Sequence, residues 1–195
     1  MSLPEDIVNW ALARMNQIVG NGQCWTLAEQ ALAQNGGRTS TQIMGHINGN
    51  QNYVWGDPVA DLVNGLRPGD ILQFRNYRWN DNSIVRTIHP DGSWQQAGTS
   101  VQTRSHHTAI VEAVISPGVV DVLEQNAPPG SRVHRTRLRL VSFSGPMSET
   151  TLPSGDRIQT TPVHVIDSNS QVWAYHPQPA AQTATAPIAV PVPAH

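Results

Sequence analysis

The chain has 195 residues, of which 38% are hydrophobic, and a formal net charge of −2 at pH 7. One domain of ordinary size is therefore expected, and so small a charge gives no basis for binding nucleic acid or an anionic membrane surface. No apolar run approaches the ~20 residues of a membrane span. We also expect no signal peptide, because the N-terminus lacks a basic segment followed by an apolar one; the localisation stays open.

Two helices are predicted at the start of the chain. Apolar residues at helical spacing favour a helix from Pro4 to Ile18. A second helix is predicted from Cys24 to Gln34, because Asn35-Gly36-Gly37 is a typical helix end. Residues 38–68 are predicted to be irregular, apart from a short helix from Pro58 to Val63.

Strands are predicted for most of the remaining chain. The segments with strand-like composition between turn signals are 70–74, 84–88, 93–96, 107–114, 119–124, 133–143, 157–166 and 171–175. The last two are predicted to form a hairpin around residues 167–170. Helices first and antiparallel strands second predict one α+β domain over residues 4–176.

The end of the chain has a different composition. From Pro177 onward it consists mainly of Pro, Ala and Thr, which cannot bury a core. Residues 177–195 are therefore predicted to be a disordered or extended tail, and this composition suggests a linker to another domain.

Cys24 is the only cysteine, which excludes an internal disulfide and a multi-thiolate zinc site. Its place at the predicted start of a helix favours ionisation, because unpaired N–H groups and the helix dipole stabilise negative charge there. The alternative is a buried cysteine that behaves as a small hydrophobic residue. We expect no metal and no organic cofactor.

A base for such a nucleophile is available downstream. His106 and His107 begin a predicted strand, in which side chains alternate between the two faces, so only one of them can face a site. Because adjacent side chains of a strand point apart, we do not expect the pair to bind a metal ion together. If Pro117-Gly118 closes a hairpin, positions near 107 lie opposite positions near 126. Glu124 and Asn126 then share the face of His107, and a slip of one residue would turn both away.

The motifs Gly22-Gln23-Cys24-Trp25-Thr26, Pro68-Gly69-Asp70-Ile71-Leu72-Gln73-Phe74, His107-Thr108-Ala109-Ile110-Val111 and Leu123-Glu124-Gln125-Asn126 occur in this order. In this order they resemble the CHAP domain, the cysteine, histidine-dependent amidohydrolase/peptidase group related to the NlpC-type peptidases. The resemblance implies a papain-like α+β fold, with N-terminal helices packed on an antiparallel sheet or partial barrel.

The resemblance also implies roles for individual residues. Cys24 would be the nucleophile and His107 the general base, while Glu124 would orient the imidazole and Asn126 would assist it or take its place. The oxyanion hole would be formed by the backbone N–H of Cys24 and the side chain of Gln23.

Three further residues are predicted to bind substrate beside this site: Trp25, Trp55 and His106. Together these expectations predict a cysteine-dependent amidohydrolase or peptidase acting on a peptide or peptidoglycan-like substrate. The alternatives are a papain-fold binding module without catalysis, and an acyl-transfer or deamidase enzyme of the transglutaminase type, which uses the same acyl-enzyme with another acceptor.

Overall fold

The computed structural model describes residues 2–49, 51–80, 83–97 and 101–181. Within these residues there are three helices, α1 Leu3–Leu12, α2 Cys24–Gln34 and α3 Ser40–Met44. The strands are β1 Asp57–Pro58, β2 Ile71–Asn80, β3 Ile84–Ile88, β4 Trp94–Gln96, β5 Val101–Ser116, β6 Val119–Glu124, β7 His134–Arg139, β8 Phe143–Ser144, β9 Ser148–Thr151, β10 Arg157–Thr161, β11 Val163–Ile166 and β12 Gln171–His176. Over the described part of the chain, none of the helices has the length and hydropathy needed to span a membrane.

Antiparallel strands form the main sheet, in the order β1-β12-β2-β5-β6-β7. The long central strand β2 pairs with β5 along one edge, and β11 and β12 share its other edge. β12 pairs with residues 71–75 of β2, and β11 pairs with Trp79 and Asn80. The predicted hairpin of the last two segments is therefore wrong, because both strands pair with β2 instead of with each other.

A second, four-stranded sheet has the order β4-β3-β10-β9. It is built from two excursions of the chain, one between β2 and β5 and one between β8 and β11. Every residue in these four strands is half-buried or exposed. This sheet therefore has no fully buried core of its own.

The hydrophobic core lies on both faces of the main sheet. Neighbouring residues along each central strand divide between two clusters, as the period of two in a strand requires. Ile71, Ile110 and Leu123 pack with the apolar faces of α1 and α2. Their sequence neighbours Leu72 and Val122 belong to the second cluster, on the opposite face. Burial on both faces fixes the register of these strands.

The structure agrees with the predicted helix Cys24–Gln34 but shortens the first helix. α1 ends at Leu12 instead of Ile18. Asn16 has a positive φ of 62°, and the backbone of residues 16 and 17 hydrogen bonds with Val133. The apolar residues beyond Leu12 therefore follow a turn that brings the chain to the end of the sheet.

The segment between α2 and β2 also differs from the prediction. α3 was not predicted, although Thr39 and Gln42 form the capping box that begins it and Gly45 ends it with a φ of 69°. The predicted helix Pro58–Val63 is wrong, because Asp57 and Pro58 pair with β12 as β1. Turns follow, held by the Asp61 side chain.

The C-terminal segment can be followed to residue 181. Gln178 and Ala180 form backbone hydrogen bonds with Arg38 and Gly36, just beyond the end of α2. Residues 182–195 of the predicted tail lie outside the described residues, so the boundary at 176 and the linker role remain predictions.

Candidate active site

The first turn of α2 carries the cysteine. Cys24 is the first helical residue, Gln23 is the N-cap, and the thiol side chain is half-buried. The preceding turn needs left-handed backbone at Gly20 and Gly22, with φ values of 58° and 80°. The sequence thus places the sulfur where a helix presents unpaired N–H groups.

His107 lies on β5, where it pairs with Phe74 of β2. Its side chain is almost completely buried, and its Nε2 lies 2.8 Å from Oε2 of Glu124 at the end of β6. Its other ring nitrogen, Nδ1, does not contact Glu124, and the Cys24 thiol lies close enough to His107 for the two groups to shift each other's pKa. The structure therefore brings a thiol, an imidazole and a carboxylate together at one place.

The contacts change how readily the thiol and the imidazole ionise. Burial of Cys24 opposes ionisation, but the interaction with His107 outweighs it and lowers the pKa of the thiol. Burial of His107 favours the neutral ring, but the interactions with Cys24 and Glu124 outweigh it and raise the pKa of the imidazole. Both shifts favour a thiolate beside an imidazolium.

Glu124 is completely buried and is contacted by three groups that can carry positive charge. Arg104 donates two hydrogen bonds to it, from Nε at 3.1 Å and Nη2 at 2.7 Å. His107 is the second partner, and Nε2 of His134 is 3.6 Å from Oε1. Burial alone would raise the pKa of Glu124, but these partners hold it far below its usual range.

Arg104 and His134 were not identified from the sequence. Arg104 is three residues from His107, a spacing that strict alternation places on opposite faces of a strand. On the paired strand β2, Asn76 has a positive φ of 51° and interrupts the regular pairing of β2 with β5 between His106 and Arg104. His134 could have been found from the pairing of β6 with the next strand, because Glu124 and His134 lie directly opposite each other in the β6–β7 ladder.

Asn126 does not take the predicted position beside His107. The ladder between β5 and β6 ends at Ile110 and Leu123, and Asn126 adopts a left-handed φ of 63°. Its Nδ2 donates to Oε1 of Gln23 at 3.2 Å, and its Oδ1 accepts from the backbone N–H of Gly130. Asn126 therefore orients Gln23, and Glu124 is the residue that contacts the imidazole.

The three predicted substrate-binding residues have different environments. Trp55 is fully buried and its Nε1 donates to Gln73 at 3.3 Å, so its predicted place in a substrate groove is wrong. Trp25 is half-buried, with its ring 6.2 Å from that of Tyr53. The His106 ring lies 5.1 Å from the same tyrosine. Burial, followed by the charge of Arg75, lowers the pKa of His106.

The neighbourhood of Cys24 contains no candidate metal site in the described ranges, where no group of three or more His, Cys, Asp or Glu side chains is placed to hold an ion.

The backbone carbonyl of His106 is 4.0 Å from the Cys24 sulfur. The strand that supplies the base thus also contacts the nucleophile directly.

Comparison with known proteins identifies a family whose model matches the chain. A family model described as the AIM3/BBC1 cysteine proteinase-fold domain matches residues 2–145, a range that contains Cys24, Arg104, His107, Glu124 and His134. Among solved structures, "The crystal structure of Ly7917" is similar, with 18% sequence identity, a TM-score of 0.42, and coverage of 89% of this chain and 87% of that chain. No curated protein matches the chain.

Proposed function

Because the chain belongs to the family of AIM3/BBC1 cysteine proteinase-fold domains, we propose that it is a cysteine-dependent hydrolase of amide bonds. The observation that carries the proposal is the placement of Cys24 beside His107, whose imidazole is in turn held by Glu124 through a hydrogen bond of 2.8 Å. Cysteine catalysis needs a thiol, a base within reach of it, and a third group that holds the base in one orientation. These three groups fill those roles here.

The reaction proceeds through an acyl-enzyme. The Cys24 thiolate attacks the carbonyl carbon of the amide, and the tetrahedral intermediate collapses as the imidazolium of His107 protonates the leaving amine. His107, now neutral, takes a proton from water, whose oxygen attacks the thioester. Release of the carboxylic acid then restores the thiolate and the imidazolium.

The negative oxygen of the intermediate would be held at the start of α2. The backbone N–H of Cys24 is a first-turn donor, where the helix dipole also favours negative charge. Gln23 would supply a second donor, since Asn126 occupies its Oε1 and its Nε2 is the amide's donor atom. The order of the sequence motifs supports a CHAP-like branch, and with it a peptide or peptidoglycan-like substrate.

The first experiment measures the reactivity of the thiol. Cys24 is the only cysteine, so mass spectrometry of the intact protein follows its alkylation by iodoacetamide directly. We expect the wild-type rate at pH 5.5 to stay within about tenfold of its plateau, because the imidazolium stabilises the thiolate. An unperturbed thiol of pKa ~8.5 would be about a thousandfold below its plateau at that pH.

His107→Gln and His106→Gln form a matched pair of variants. His107→Gln should give the profile of an ordinary thiol, whereas His106→Gln should keep the low-pH reactivity, because the His106 ring stacks on Tyr53. An ordinary profile in the wild-type protein would contradict the proposal and favour a binding module that uses the same fold without catalysis.

The second experiment measures turnover. Wild-type protein should cleave peptide amides or peptidoglycan fragments, and Cys24→Ala should not. Equal turnover by both proteins would remove Cys24 from the mechanism. Incorporation of a labelled amine in the same assay would assign the acyl-enzyme to transfer instead of hydrolysis, since the two reactions differ only in the acceptor.

A further inference from the structure

Gln125 is a fully buried amide whose two polar atoms are both bonded to the loop and helix that carry Cys24. Its Oε1 accepts from the backbone N–H of Val19 at 3.0 Å. Its Nε2 lies 3.0 Å from the carbonyl of Val19, 2.8 Å from the carbonyl of Gln23 and 3.2 Å from Oγ1 of Thr26. The residue was part of a sequence motif but was given no role there.

These bonds fix the start of α2 from both sides. Val19 lies before the glycine turn, Gln23 is the N-cap, and Thr26 lies in the first helical turn. Thr26 reinforces the arrangement, because its hydroxyl also contacts the carbonyls of Val19 and Gln23 at 3.2 and 2.7 Å. One side chain, just beyond the end of β6, therefore holds the backbone before Cys24 and the threonine side chain after it.

The neighbour of Gln125 holds the other half of the site. Glu124 contacts His107, and successive residues at the end of a strand point in opposite directions. One short piece of chain therefore fixes the imidazole with one side chain and the helix that carries the thiol with the next. From this juxtaposition we propose that Gln125 is a positioning residue that sets the distance between the Cys24 sulfur and His107.

This inference rests on the proposed function and makes it more specific. The Coulomb attraction between thiolate and imidazolium and their hydrogen bond both weaken as the two groups separate. A displacement of about 1 Å in an active site can reduce a rate about a hundredfold. Loosening the start of α2 should therefore return the thiol toward its ordinary ionisation while the core stays folded.

The test is the pH profile of Cys24 alkylation in Gln125→Met. Methionine keeps similar volume and removes all the hydrogen bonds. We expect folded protein, judged by circular dichroism, whose alkylation at pH 5.5 is about tenfold slower than that of the wild type, which corresponds to one pKa unit. A merely structural role would lower the melting temperature without moving this profile.

Thr39→Ala is the matched control for lost stability. Thr39 caps α3 through Gln42 and is not part of the site, so its loss should lower the melting temperature and leave the alkylation profile unchanged. A folded Gln125→Met protein with the wild-type profile would overturn the inference alone. A wild-type protein without low-pH reactivity would overturn the proposed function and this inference together.

Thr26→Val provides a milder second variant should Gln125→Met fail to fold. It removes one of the contacts of Gln125 and the two carbonyl contacts of the threonine hydroxyl, and nearly preserves shape. We expect the low-pH rate to fall by about threefold, in the same direction. An unchanged profile in Thr26→Val would then count against Gln125 as a positioning residue.

Discussion

At the scale of single residues, the central feature is a buried carboxylate shared by several cationic partners. Glu124 is inaccessible to water and contacts Arg104, His107 and His134. A buried charge is costly unless it is paired and its hydrogen bonds are satisfied. Arg104 therefore supports the site indirectly, because it keeps Glu124 ionised and available to His107.

Arg104 and Arg137 each bind a carboxylate through two nitrogens but differ in burial, so substitution of each in turn tests this role. Arg104 binds Glu124 through two nitrogens, and Arg137 binds Asp121 in the same way. The Arg104 side chain is 10% exposed and that of Arg137 is 59% exposed. We expect Arg104→Met to destabilise the protein by about 2–4 kcal/mol, because it removes the partner that donates two hydrogen bonds to a buried carboxylate and leaves only the two histidines.

The control, Arg137→Met, should cost at most about 1 kcal/mol, as for other exposed pairs. Urea denaturation at neutral pH measures both free energies of unfolding. Similar losses in the two variants would mean that burial of Glu124 is not what makes its pairing important.

The lowered pKa of Glu124 gives stability a specific dependence on pH. A carboxyl whose pKa is lower in the folded state stabilises the fold above its unfolded pKa, here about 4.5, and this contribution is lost as the pH falls toward the folded value. His107 acts in the opposite sense: its pKa is raised, so its contribution is complete below about 6.5 and is lost as the pH rises through the folded value.

We therefore expect the difference in unfolding free energy between wild type and Glu124→Gln to be largest above pH 5 and to shrink as the pH falls below about 4.5. Urea denaturation from pH 3 to 7 measures it. Asp121→Asn, which removes a carboxylate that is only partly buried and pairs with the exposed Arg137, is the control and should show a much smaller difference. A Glu124→Gln difference that stays constant down to pH 3 would contradict the assigned pKa shift.

At the scale of elements, local signals gave the helix of the nucleophile and the strand of the base. Cys24–Gln34 has a glycine-rich end signal, and the turn at residues 117–118 predicts the β5–β6 hairpin, although two irregularities between Val111 and Ser116 shift its register before the site. These features depend on neighbouring residues in the chain.

Features that depend on distant residues were missed or wrongly predicted. α1 ends early because residues 16 and 17 bond to Val133, and Trp55 is buried by helices and strands whose packing no local pattern describes. Arg104 on β5 reaches Glu124 on β6 where the pairing of β5 with β2 is interrupted at Asn76, and the fourfold bonding of Gln125 joins segments about a hundred residues apart.

The pairing of β1 with β12 depends on one glycine. Gly56 has a φ of 145°, and a Cβ there would lie 2.1 Å from the carbonyl oxygen of His176. Gly56→Ala should therefore destabilise the protein by about 1–3 kcal/mol from overpacking, with backbone strain in addition. Thermal and urea denaturation measure the loss.

Gly49→Ala is the control, since a Cβ at Gly49 meets nothing within 4 Å and its φ is ordinary. This variant should stay within about 0.5 kcal/mol of the wild type. Equal stability of Gly56→Ala and Gly49→Ala would show that β1 can separate from β12 without loss to the fold.

At the scale of the whole molecule, elements of both core clusters contribute to the site. Cys24 begins a helix packed on one cluster, while His107 contacts Phe74 of the other. The main sheet also extends beyond the matched family range, because β12 pairs with the central strand β2 from residues 171–176. The sheet that holds the base therefore depends on both ends of the described chain.

The two sheets should differ in how often they open. β3, β4, β9 and β10 have no buried residue, whereas β2, β5 and β6 contain long buried runs. Segments with few buried apolar contacts open in local steps that cost less than global unfolding. We expect amide hydrogens of the second sheet to exchange well before those of β2, β5 and β6, measured by hydrogen-exchange mass spectrometry. Opening there should leave Cys24 alkylation unchanged, because Cys24, His107 and Glu124 lie on α2, β5 and β6 and not on strands of the second sheet. Equal protection of both sheets would show that the molecule opens as one cooperative unit, with the second sheet coupled to the site.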